Sequence, residues 1–166
     1  MATQRILSVE NKADEIVLRQ TTAPFDFSRF TRKEVIELVR SMKETMKDAS
    51  GVGLAANQIG LNLSLFVAKT ERKLHAVFNP VLVWASTKED GMEEGCLSIP
   101  NMYGIVRRPV AVRVTAQDMK GKKIEFTLTG LLARVFQHEM DHLNGILFTD
   151  KAVEVYEGKR ENGNVE

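Results

Sequence analysis

Apolar residues recur at helical spacing twice along this chain and alternate in between. Val35, Leu38, Val39, Met42 and Met46 keep a 3.6-residue period. They follow Thr31-Arg32-Lys33-Glu34, where Thr31 can cap a helix and Glu34 can reach back to it. The pattern predicts an amphipathic helix over roughly 32–48, its methionines filling core gaps. Gly51, Gly53 and Gly60 then interrupt regular structure. Strand-like pieces follow at Leu63–Lys69, Leu74–Phe78, Val81–Ala85, Val110–Asp118 and Lys123–Leu128, with turns at Asn79-Pro80 and 119–122. Val110, Val112 and Val114 alternate, as do Ile124, Phe126 and Leu128, which predicts a hairpin with one buried face. A second helix is expected from about Gly130 to Leu143, with Thr129 as N-cap and Asn144-Gly145 as its stop. Residues 1–30 read as mixed, with short apolar pieces at Ile6-Leu7 and Ile16-Val17-Leu18. From about Tyr156 the chain is polar and is expected to be a flexible tail. The expected fold is α+β, with antiparallel strands packed around the second helix, in one domain over 1–166.

Composition narrows the function classes. A chain of 166 residues suits one core, and its net charge of +1 gives no electrostatic argument for a nucleic-acid binder. No apolar run reaches the length of about 18 residues needed to span a membrane, and the N-terminus lacks a secretory apolar core. A cytoplasmic location is the simplest expectation. The single cysteine, Cys96, excludes an intrachain disulfide. It is either a small buried hydrophobe or a reactive or metal-binding thiol.

The chemistry concentrates at Gln137-His138-Glu139-Met140-Asp141-His142 on the second helix. Positions i and i+4 share a helix face, so His138 and His142 can hold one metal ion. Glu139 lies about 100° around the helix, free to move a proton for a metal-activated water. Hydrolytic sites of this kind usually have three protein ligands. No His follows His142, and Asp150, Glu154 and Glu157 have no ligand context. Upstream, Glu94-Gly95-Cys96-Leu97-Ser98 offers either a thiolate or an inert buried cysteine. In Gly51-Val52-Gly53-Leu54-Ala55-Ala56-Asn57-Gln58, the glycines allow an extended peptide to approach, and Gln58 is either an oxyanion donor or a surface loop residue. Leu131 and Val135 precede His138 near its face of the helix, so they form either a pocket wall, with Val52 and Leu97 as partners, or plain core. His75 sits in a strand-like piece without ligand neighbours and reads as structural.

Together the three stretches resemble the signature motifs of the peptide deformylases, in that family's order, over roughly 30–150. Phe78-Asn79-Pro80 and Arg107-Arg108-Pro109 are similar too. The resemblance implies removal of the formyl group from the N-terminal formylmethionine of new polypeptides, releasing formate. It implies Cys96, His138 and His142 as ligands of one divalent ion, Fe²⁺ foremost, with Ni²⁺, Co²⁺ or Zn²⁺ as substitutes. It implies Glu139 as general base and acid, and Gln58 with the Leu97 N–H as oxyanion donors. Val52, Gly53, Gly95, Leu131 and Val135 become the expected substrate contacts. The expected partners are formylmethionyl nascent chains, with transient ribosome contact and no membrane or direct nucleic-acid site. The alternatives are an H-E-x-x-H metallopeptidase and a catalytically inactive deformylase-like protein that binds peptides or ribosomes. One departure precedes Leu18-Arg19, where the family often has a Pro-Asp turn and this chain has 10–15 as Glu-Asn-Lys-Ala-Asp-Glu.

Overall fold

The computed structural model describes residues 3–70 and 73–158. Helix α1 (Lys12–Leu18) occupies the departure noted above. Asn11 caps it, its side chain accepting from the N–H groups of Ala13 and Asp14. Seven residues are too few to show a helical period, so the sequence pattern missed this helix. Ahead of it the chain runs as a strap, with Leu7 N–H donating to the Gln58 carbonyl at 2.7 Å and Val9 N–H to the Ser98 carbonyl at 3.0 Å. Helix α2 (Arg32–Asp48) has the expected bounds and the expected capping box. The Thr31 N–H donates to the Glu34 carboxylate at 2.7 Å, and the Glu34 N–H returns to Thr31 Oγ1 at 3.3 Å.

Among the described residues, eight strands form two antiparallel sheets. The larger joins β1 (Gly53–Ala55), β2 (Leu65–Lys69), β3 (Leu74–Ala85), β6 (Ala111–Gln117) and β7 (Lys123–Thr129), in that spatial order. The smaller joins β4 (Glu89–Cys96), β5 (Ile99–Pro109) and β8 (Ala152–Glu157). Helix α3 (Gly130–Leu143) lies between them, packed on β1, β2 and β7 and also on β5. Among the described residues, no helix is long and apolar enough to cross a membrane.

Strand β2 shows why the core takes this form. Leu65, Phe66, Val67 and Ala68 are all fully buried. Alternation sends Phe66 and Ala68 toward α3, and Leu65 and Val67 toward α2. Strands β6 and β7 bury only one face, through Val112, Val114, Ala116 and Leu128. That is the alternation read in the sequence, and the two strands pair as the expected hairpin. His75 packs its ring edgewise against Phe126 and Phe136, a structural position.

Three expectations are corrected. Asn79-Pro80 does not end a strand; β3 runs through it as a bulge, with Asn79 at φ 48°. The hairpin β4–β5 was not seen in the sequence, because Glu89–Cys96 is rich in acidic residues and glycine, which disfavour strands. Tyr156 and Glu157 belong to β8 rather than to a tail. The Tyr156 ring stacks on Tyr103 and its hydroxyl donates to Glu93. The remainder of the expected tail, 159–166, lies outside the described residues. A smaller difference concerns Thr129, which precedes α3 in an extended conformation but makes no side-chain cap.

Candidate active site

Where α3 passes between the sheets, it brings the sequence motifs together. Cys96 ends β4, and His138 and His142 lie one helical turn apart on α3. One ligand atom from each of the three lies within 4.8 Å of the others. The Cys96 sulfur is 3.1 Å from His142 Nε2. The donor set fits one metal ion, since a thiolate and two imidazoles suit a borderline cation. The electrostatics agree. Burial opposes the Cys96 thiolate, but the charge of His142 and hydrogen bonds from His138 and His142 outweigh it and bring the thiol down to about 5. Burial likewise opposes a protonated His138, yet its bonds to Cys96 and Glu94 hold its pKa well above the usual imidazole value. The cluster therefore favours positive charge between a thiolate and a carboxylate, as a bound cation would supply.

Glu139 sits beside this cluster, 4% exposed, and its Oε2 has no hydrogen-bond partner among the described residues. Burial pushes its carboxyl up to about 7, against the charges of His138 and His142 that draw it down. A carboxyl near neutrality can both take and return a proton. Gly53 on β1 makes room for it. A Cβ there would lie 2.2 Å from Glu139 Oε1. A glycine at this position leaves room for the Glu139 carboxylate.

Gln58 is 2% exposed, which removes the reading of a surface glutamine. Its Oε1 accepts the Ala55 N–H at 2.8 Å, so its amide nitrogen faces the site. That nitrogen donates to Ser98 Oγ at 3.1 Å and lies 3.6 Å from the Cys96 sulfur. The Ser98 N–H also reaches the sulfur at 3.4 Å. Leu97 sits half-buried in the turn between β4 and β5. Of the expected substrate contacts, Val52 and Leu131 are 47% and 61% exposed, whereas Val135 is 7% exposed within the core under the sheet. Gly95 is exposed, with the Tyr103 ring closing one side of it.

Several residues were not assigned a role in the sequence. Glu94 accepts from both nitrogens of an Arg108 fork, at 2.6 and 2.9 Å, and its Oε2 lies 2.9 Å from His138 Nδ1. Burial would raise the Glu94 carboxyl, but the bonds from Arg108 and His138 hold it well below the usual range. A carboxylate behind a ligating imidazole fixes its orientation and raises its basicity. Met92 alternates with Glu94 and Cys96, so it shares their face of β4, and it is 41% exposed. The signal for Met92 was period-two spacing from Cys96, hidden because the strand itself was not legible.

The model of the polypeptide deformylase family matches residues 3–157. The peptide deformylase of Halothermothrix orenii is 43% identical over 148 residues, covering 88% of this chain and 94% of that one. The crystal structure of the Thermotoga maritima enzyme superposes with a TM-score of 0.84 at 34% identity, covering 93% of this chain and all of that one. A Synechococcus elongatus peptide deformylase in complex with actinonin gives 0.82 at 36% identity, covering 91% and 79%. Motifs that are scattered in sequence converge on one buried site, and the whole described fold follows theirs: the chain belongs to the polypeptide deformylase family.

Proposed function

We propose that the protein removes the formyl group from formylmethionyl nascent chains, using Cys96, His138 and His142 to hold Fe²⁺ and Glu139 to move the protons. The observation that carries these residue roles is Glu139, whose buried Oε2 has no hydrogen-bond partner among the described residues and whose carboxyl is pushed up to about 7 beside a Cys/His/His cluster. When bound, the metal supplies Lewis acidity to the formyl oxygen and activates water. The rest is done by the chain. Glu139 accepts the proton of the attacking water and passes it to the leaving amine, so formate and a free N-terminus result. The Gln58 amide, locked by Ala55, and the Leu97 N–H donate to the oxygen as it gains negative charge. Because the Gln58 donor is positioned before reaction, little reorganisation is needed.

The substrate can enter as an added strand. Strand β1 forms one edge of the large sheet and β4 one edge of the small sheet. Gly53 and Gly95 let a peptide backbone approach there. Val52, Met92 and Leu131 then offer exposed apolar surface to the methionine side chain. Val135, being core, supports this wall from beneath. The same reading places the protein in the cytoplasm, meeting its substrates as they leave the ribosome.

The test is formate release from formyl-Met-Ala-Ser by anaerobically prepared, iron-loaded protein, with Glu139→Ala as control. Formate from the parent and less than about 1% of that rate from the metal-loaded variant is the expected result. Cleavage of internal peptide bonds without formate would instead assign the site to a peptidase. Peptide binding without turnover by the metal-loaded parent would make it a binding protein.

A further inference from the structure

Helix α3 carries a second arginine-dependent device, one turn before the first histidine. Arg134 is 6% exposed, so its charge is held almost entirely by protein. Its Nη1 donates to Glu94 Oε1 at 2.7 Å and to the Val106 carbonyl at 2.8 Å. Its Nη2 donates to the Asp90 carbonyl at 2.8 Å. One guanidinium therefore ties α3 to β4 on both sides of Met92, and to β5. It also completes the shell around Glu94. Oε1 accepts from Arg108 and Arg134, while Oε2 accepts from Arg108 and faces His138. With its oxygens so occupied, the carboxylate has one orientation left, the one that meets His138 Nδ1.

We propose that Arg134 is a positioning residue: by fixing Glu94 it sets the ring orientation of His138 and the strength with which the site holds its metal. The proposal rests on the ligand assignment above. The two imidazoles differ in this respect. His138 is backed by a carboxylate gripped by two guanidinium groups, whereas His142 Nδ1 is buried with no hydrogen-bond partner among the described residues. The first ligand is thus the anchored one, and what anchors Glu94 governs metal retention. Spacing adds a reason. Residues i and i+4 share a helix face, so Arg134 and His138 approach the same carboxylate from one side. Lysine cannot substitute fully, because a single ammonium does not span Glu94, Val106 and Asp90 in the fork geometry of a guanidinium.

The experiment loads the purified protein with Co²⁺ and follows chelator-driven release through loss of the cobalt–thiolate absorption. The variants are Arg134→Met and Arg134→Lys. Val114→Ala, in β6 of the larger sheet, serves as a control for general destabilisation. Loss of groups behind a metal ligand typically costs 10–100-fold in affinity, and Arg108 still grips Glu94 in the variants. The expectation is therefore the lower end, with Arg134→Met releasing metal about 10-fold faster than the parent. Arg134→Lys should fall between, and Val114→Ala should match the parent below its own Tm. Release from Arg134→Met no faster than from Val114→Ala overturns the proposal. If Arg134→Met does not fold, parent-like release from Arg134→Lys overturns it instead. A parent that holds no Co²⁺ overturns the ligand assignment, a result separable from the other two.

Discussion

At Gly53 the space for a side chain is already taken by Glu139. A Cβ there would meet Glu139 Oε1 at 2.2 Å and Cδ at 2.7 Å. The obstructed group is the end of a flexible side chain, so the fold can yield and the carboxylate moves instead. Gly53→Ala is therefore expected to keep its Tm and its metal while turnover of formylated peptide falls about 100-fold, the usual penalty for a misplacement near 1 Å. Normal turnover at full metal occupancy would show that Glu139 has room to spare. The residue scale also explains which side chains were readable. His138, Glu139 and His142 announce themselves because three uncommon roles share one short helix. Arg134 and Asp141 occupy the same helix, and Asp141 accepts from Arg108 at 2.7 Å and from Lys151 at 2.7 Å. Nothing in their spacing tells an ion-paired partner from a solvated charge, since the partners lie in other elements.

Among the elements, β3 shows how one residue holds a long strand to its surroundings. Asn79 adopts φ 48° at the bulge and makes three side-chain bonds. It accepts the Phe25 N–H at 2.7 Å, and it donates to the Phe25 carbonyl at 2.9 Å and to Gln117 at 2.7 Å. These bonds seat Phe25 against Phe27, Phe30 and Phe78. Asn79→Ala loses all three and strains the left-handed backbone, an expected cost of about 3 kcal/mol in urea unfolding. Asn79→Gly loses the same bonds without the strain and is expected to cost about 1 kcal/mol less. A glycine variant less stable than the alanine one would show that backbone strain is not the separable part. The sequence suggested a turn here because Asn-Pro is a common breaker. The structure keeps the strand because β6 pairs on both sides of the bulge. Helix α2 was legible, since its periodicity and its capping box are local signals. Strand β4 was not, because pairing and an ionic cluster hold it rather than β-propensity.

For the whole molecule, a metal held at the proposed site would also be a clasp. Cys96 comes from the smaller sheet and the two histidines from the helix packed under the larger one. A metal bound by all three stabilises the folded chain alone, by about 4 kcal/mol at a thousandfold excess over its Kd. Chelation is therefore expected to lower the Tm, and added Co²⁺ or Ni²⁺ to restore it, as read by calorimetry. An unchanged Tm after verified metal removal would mean that packing alone joins the two sheets. The sequence by itself determined the fold class, the two long helices, the β6–β7 hairpin and the placement of His138, Glu139 and His142 on one helix. Those features rest on periodicity, capping and short-range spacing, which depend on near neighbours in the chain. Only the tertiary structure decided that Gln58 is buried and aimed by Ala55, that Gly53 makes room for Glu139, and that Glu94 is gripped by Arg108 and Arg134. Those contacts join residues distant in sequence, and their energies arise from burial and charge pairing that exist only once the sheets close around α3.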